Sequence, residues 1–221
     1  MYPIALLLTL VAAPSDEPKP KGEPPEGVAL FDGKTLDGWR GDPAHWSVKD
    51  GMIVGKSEGP VKVSTYLMTK ADHRDFRLSA KVKLVQSEMH SGISLWGKNA
   101  PEHGDPFTYA GHLVMFPSGW GLYDLFGRGG LPPSGAPAQK VGRQHDWNDL
   151  EILAVGDRLR VAVNGVEVMD YKEPLPDRIK SGPIGLQLHS NTVPQEVQFK
   201  DLILETKPKL DRLLSVKATA R

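Results

Sequence analysis

The chain has 221 residues, with 27 basic and 27 acidic side chains, a formal net charge of zero and no cysteine. Balanced charge gives a nucleic-acid partner no electrostatic support, and the missing thiols exclude disulfides, a thiolate zinc site and a cysteine nucleophile. With 39% hydrophobic residues, 23 glycines and 19 prolines, the composition favours one packed core of short strands and many turns over long helices.

The chain opens on "MYPIALLLTLVAA", residues 1–13. Its apolar run of roughly ten residues ends in small side chains, the form of a secretory signal peptide. It falls well short of the ~20 residues that cross a bilayer, so no membrane span is expected. The expectation is a periplasmic or secreted protein. Residues 14–27, "PSDEPKPKGEPPEG", hold Pro, Lys and Glu with almost no apolar side chains and read as a disordered linker. The folded domain is expected over 28–206, with a C-terminal tail over 207–221 in which "KLDRLLSVKATA" is a candidate short helix.

Between these ends the sequence reads as strands. "WSVKDGMIVGK" (46–56) is two short runs around Asp50-Gly51, a hairpin signal. In "DFRLSAKVKLV" (75–85), Phe76, Leu78, Ala80, Val82 and Leu84 share one face. Arg77, Ser79, Lys81 and Lys83 share the other, the period of a half-buried strand. "SGISLWG" (91–97) places Ile93 and Leu95 on one side, with His90, Ser94 and Trp96 on the other. "GHLVMFPSGWGLYDLFGRGG" (111–130) starts as a strand, breaks at Pro117-Ser118-Gly119, resumes at Trp120 and ends in a glycine-rich loop. It predicts two adjacent strands joined by a tight connection. "WNDLEILAVGDRLRVAVNGVEVMDY" (147–171) is a three-strand meander turning at Gly156-Asp157 and Asn164-Gly165. "GPIGLQLHS" (182–190) and "EVQFKDLILE" (196–205) close the domain. Together they predict an antiparallel all-β sandwich without an internal repeat.

Six segments carry a resemblance: "LFDGKTLDGW" (30–39), "WSVKDGMI" (46–53), "SGISLWG" (91–97), "WNDLEI" (147–152), "VNGVEV" (163–168) and "GPIGLQLHS" (182–190). In this order they resemble the 3-keto-disaccharide hydrolase domain family, formerly domain of unknown function 1080, from about Val28 to Glu205. The resemblance implies a concanavalin A-like jelly-roll sandwich of two antiparallel sheets, frequent export, and action on sugars whose C3 hydroxyl is oxidised to a ketone. The family pattern has Asn where this chain has His90. It also has Gly-Tyr-Glu-x-Gln where this chain reads Gly111-His112-Leu113-Val114-Met115. Direct alignment replaces the family Glu by Leu113; a one-residue slide puts His112 there. Either way, the family's carboxylate is missing from this strand. Tyr123, Gln187 and His189 match family positions.

The chemistry expected on such a substrate needs no carboxylate pair. A C3 ketone acidifies the C2 proton; a base removes it, the enolate expels the C1 substituent, and water adds back. Histidine titrates in the range this requires, and a histidine pair is alternatively a holder for a divalent metal that polarises the ketone. The candidate catalytic residues are therefore His189, His112, His90 and Asp124. Gln187 and His189 lie in phase on one strand face. His112 shares parity with Val114 and Phe116, so a core histidine is its rival reading, and Asp124 alternatively caps a turn or pairs with Arg128. Candidate substrate-binding residues are Gln187, Tyr123, Arg128, Trp96 and Trp120. Arg128 would clamp an oxyanion or carboxylate or lie on the surface. The aromatics would stack on a sugar ring or fill the core. His45, His73, His103 and His145 lie near turns and read as solvated. The leading expectation is an exported hydrolase or lyase of 3-keto-glycosides with a sugar as its partner. The rivals are a sugar-binding module without catalysis and an interaction domain without a ligand.

Overall fold

The computed structural model describes residues 27–86, 88–117, 121–131 and 141–216. The proposed signal segment, residues 14–26 of the linker and Trp120 lie outside the described residues.

Among the described residues, fifteen strands make two antiparallel sheets. In chain order they are β1 (Val28–Ala29), β2 (Trp39–Arg40), β3 (Trp46–Lys49), β4 (Met52–Ser57), β5 (Thr65–Thr69), β6 (Phe76–Gln86), β7 (Ser91–Asn99), β8 (Tyr109–Phe116), β9 (Leu122–Asp124), β10 (Gly129–Leu131), β11 (Asn148–Val155), β12 (Arg158–Val163), β13 (Val166–Lys172), β14 (Gly185–Leu188) and β15 (Gln195–Thr206). The first sheet runs β13-β12-β11-β6-β15-β4-β3, with β1 added beside β15; the second runs β10-β9-β8-β7-β14-β5-β2. The protein is an all-β sandwich of the jelly-roll type.

Local chemistry explains the turns. Asp50 and Gly51 both take positive φ between β3 and β4, as do Asn164 and Gly165 between β12 and β13. That geometry matches the twist of paired strands, and Gly with Asn or Asp reaches it at least cost. The alternation in β6 holds: Phe76, Leu78, Ala80, Val82 and Leu84 are all buried. They face Ile93, Leu95, Val114, Phe116 and Leu186 of the second sheet in one inter-sheet core. Apart from Ala80, each such side chain contributes roughly 1.5–3 kcal/mol by leaving water.

Three sequence expectations are corrected. Trp96 does not share a face with Ser94. It has a φ of 53°, and the β7–β8 register shifts between Leu95 and Lys98. This bulge re-aims the indole into the inter-sheet core beside Leu95. Arg77 does not face water but is 1% exposed. It donates from Nε to Glu151 (3.0 Å) and from Nη2 to the carbonyls of Leu210 (2.7 Å) and Arg212 (2.9 Å), and it also pairs with Glu205. The third correction explains the second. The described part of the tail is not helical. It lies across the outer face of the first sheet, where Leu213 packs on Leu153 and Ala162. Glu151 accepts from the backbone N–H groups of Leu214 (2.9 Å) and Ser215 (2.8 Å). Among the described residues, no helix is long and apolar enough to cross a membrane.

Candidate functional site

The hairpin β8–β9 positions two of the predicted residues. His112 stands directly opposite Asp124 in the antiparallel register. Both side chains point inward, between the sheets, because they share parity with Val114 and Phe116. Neither His112 nor Asp124 has any exposed surface. The first sheet answers from the end of β13. His112 Nε2 donates to Glu173 Oε2 over 2.6 Å, and Tyr171 Oη donates to the same oxygen over 3.1 Å. Arg128 closes the cluster with Nη1 3.0 Å from Glu173 Oε1 and Nη2 2.6 Å from Oε2, and its Nε pairs with Asp124. Trp96 meets the His112 ring edge-on at 5.5 Å. Burial pushes the Glu173 carboxyl up, but Arg128, the Leu175 N–H and His112 outweigh it and hold the group down at about 2. Burial pushes His112 down, against the pull of Glu173. The cluster is an internal ion network that ties the sheets together.

The outer face of the second sheet is a different environment. There Tyr66, Met68, Tyr109 and Leu113 form a cluster separate from the main core, with Met115 and Leu125 packed on it. Gly185 leaves room beside the tyrosines: a Cβ there would come within 2.4 Å of Ser94 Oγ and 3.4 Å of both Tyr109 and Tyr66. Leu113 and Met115, rather than His112, therefore face the side that carries Gln187.

Gln187 donates from Nε2 to Tyr66 Oη (3.1 Å) and Ser64 Oγ (3.3 Å). Ser64 Oγ also accepts from the Ser190 N–H (2.9 Å). Its own hydrogen then points to Nδ1 of His189, 3.4 Å away. This places the proton of neutral His189 on Nε2. His90, just before β7, brings its ring centroid within 4.2 Å of the His189 ring. Burial lowers both imidazoles below the ordinary histidine range. His90 also feels the charge of its neighbour and is pushed down to about 4. Both rings are therefore neutral at pH 7. The pair supplies lone pairs that accept protons and N–H groups that donate them, side by side. Gln195 donates to the His189 carbonyl and fixes the backbone behind it.

The predicted residues thus divide. His90, His189 and Gln187 come together on the outer face. His112, Asp124, Arg128 and Trp96 come together between the sheets. Tyr123 belongs to neither group; it is 41% exposed on β9. Sequence reasoning missed Ser64, Tyr66, Tyr171 and Glu173. Tyr171 and Glu173 are two apart, in phase on a strand end, and that parity was the available signal. Ser64 and Tyr66 carried none. Among the described residues, no three His, Asp or Glu side chains converge as ligands for a metal ion, so a divalent ion finds an incomplete donor set at the histidine pair.

The family model described as the 3-keto-alpha-glucoside-1,2-lyase-like domain matches residues 26–205. The chain belongs to this family. Its function is therefore carbohydrate-related. A Parabacteroides distasonis structure, provisionally assigned as a glycosyl hydrolase, is 21% identical. The match covers 84% of this chain and 95% of that one, with a TM-score of 0.59. A second structure from that organism, similarly assigned, is 19% identical over 77% of this chain and 94% of its own, with a TM-score of 0.55. A Bacillus subtilis protein of unknown function with a galectin-like fold is 9% identical, covering 77% and 90%, with a TM-score of 0.54. At these identities the likeness is one of fold. No curated protein matches the chain.

Proposed function

We propose that this protein is an exported lyase or hydrolase that cleaves the C1 substituent from 3-keto-glucosides, with His90 and His189 as its proton-transfer groups. The observation that carries the reading is the His90–His189 pair: two neutral imidazoles, ring centroids 4.2 Å apart, on the sheet face that holds Gln187. One imidazole lone pair takes the C2 proton, made acidic by the C3 ketone. The C2–H electron pair passes through the enolate to form the C1–C2 double bond as the C1–O bond breaks. The imidazolium this leaves at the pair then protonates the departing oxygen, which returns both rings to neutral. Water adding across the double bond returns a 3-keto sugar. Gln187, held by Ser64 and Tyr66, positions a hydroxyl of the ring. Membership of a 3-keto-alpha-glucoside-1,2-lyase-like family supports the substrate class, and the apolar N-terminal run supports export.

A second reading has its own observation. Leu113 and Met115 stand on the outer face, where direct alignment would put the family's Glu and Gln, which fits a module that binds sugar without cleaving it. The experiment incubates purified full-length chain with a 3-keto-disaccharide and with the unoxidised parent. Release of the C1 substituent from the keto sugar alone is the expected result. Saturable binding of the keto sugar without release selects the binding module instead. Cleavage of both sugars overturns the elimination route, because the parent has no acidified C2 proton.

A further inference from the structure

The sheet face that carries the histidine pair continues into ground of a different chemistry. Ile93 points into the inter-sheet core, so its neighbour Gly92 opens on the outer face. Gly92 stands opposite Met115 of β8, and Ile93 stands opposite Leu186 of β14. Continuing that register sets Gln187 beside Gly92 on its other side. Two strand spacings put Met115 about 10 Å from Gln187 across the sheet, and two residues along the strand put His90 about 7 Å from Gly92. That is the reach of a group attached to a sugar ring held at the histidines.

This ground is apolar. Gly92 has no side chain and is covered by Leu113: a Cβ there would meet Leu113 Cδ1 at 2.5 Å. Leu113 belongs to the packed outer cluster, on which Met115 and Leu125 lie partly exposed. Tyr123 stands opposite Leu113. Its neighbours Leu122 and Asp124 are buried, whereas Tyr123 is 41% exposed. None of these outward side chains is charged. Ser94, the next outward residue of β7, has no exposed surface and donates to the Gly185 carbonyl over 3.2 Å.

These features choose between substituents. A second sugar would set hydroxyls against Met115 and Leu125, where they find no partner once water is displaced. A charged group finds no counter-ion. A flat apolar ring gains from a thioether, an aliphatic side chain and a phenol ring alike. Resting on the reaction proposed at His90 and His189, we propose that Met115, Leu125 and Tyr123 form the seat of the C1 substituent. That substituent is an uncharged aromatic group rather than a second sugar.

The test gives the full-length chain three substrates: benzyl 3-keto-α-glucoside, methyl 3-keto-α-glucoside and 3-keto-trehalose. Benzyl alcohol and methanol are nearly equal in acidity, so the benzyl and methyl substrates differ in ring binding rather than in leaving-group chemistry. The expected kcat/KM for the benzyl substrate is about tenfold above the methyl one, the return from taking roughly half a ring out of water. It also exceeds that of the disaccharide. Met115→Gln, close to methionine in size, and Tyr123→Ser, a change at an exposed position, each bring the benzyl-to-methyl ratio down toward one. Equal kcat/KM for the benzyl and methyl substrates overturns the inference and leaves the reaction standing. So does a disaccharide preferred over the benzyl substrate, or a ratio unchanged in both variants. Release from none of the three overturns the reaction itself and this inference with it.

Discussion

The two histidine environments of the second sheet use the same side chain to opposite ends. His112 lies between the sheets and gives its Nε2 proton to an ionised Glu173 that Arg128 also holds. Its proton is committed, and its ring is enclosed by Trp96, Phe126 and Tyr171. His189 lies on the outer face, held at Nδ1 by a serine hydroxyl and backed by a second imidazole. The difference lies in the neighbours. A carboxylate and a guanidinium make a histidine part of the scaffold. A hydroxyl, a carboxamide and a second neutral ring leave it available for proton transfer. A histidine in a sugar-active fold is therefore assigned by what faces it.

The largest expected effect tests the outer pair. Replacing His189 by Ala lowers turnover of a 3-keto-glucoside by about 10² to 10⁴, the usual cost of losing a general acid or base, while the thermal midpoint stays near that of the native chain. Steady-state kinetics beside a melting curve decide it. Full activity in this variant removes His189 from the proton-transfer role.

The inner cluster makes the converse demand. Glu173→Ala leaves Arg128 and His112 facing each other inside the protein without their carboxylate. Loss of one partner from a buried ion pair costs about 3–5 kcal/mol, read from urea unfolding. The activity of the molecules still folded is unchanged. A variant as stable as the native chain but inactive would move the reaction from the outer face to the inner one.

The smallest effect is a shift in pH dependence. His90 is pushed from 6.5 to about 4 in the folded protein. The unfolded chain then takes up a proton that the folded chain refuses, so the stability from this group is complete above about pH 6.5 and falls away as pH drops toward 4. The same displacement keeps the ring a proton acceptor through mild acid. The acid limb of kcat/KM is expected well below 6.5, and His90→Asn abolishes the group's contribution to the acid loss of stability. An acid limb at the ordinary histidine value would show that His90 does not act as the base.

Much of the fold was legible because it rests on local rules. Strand period two set which side chains of 76–84 are core. Asp50-Gly51 and Asn164-Gly165 marked turns because those residues tolerate positive φ. The phase of Gln187 with His189 placed both on one face. The motifs alone identified the family. Local rules fail where a distant segment intervenes. Arg77 reads as solvent-facing until the stretch around Leu213 covers it, and Trp96 reads as outward until a bulge reverses the alternation after Leu95.

The functional division is the part that only the tertiary structure decided. The sequence by itself determined the sandwich, the family and the set of titratable side chains, because alternation, turn chemistry and motif order are properties of neighbours along the chain. It could not separate His112 from His189, since both sit in strand-like segments in phase with apolar or amide residues. Their separation depends on Glu173 arriving from the other sheet and on Ser64 and His90 arriving from two other loops. Those meetings fix burial, hydrogen-bond partners and proton affinity, and they arise only when the two sheets close on each other.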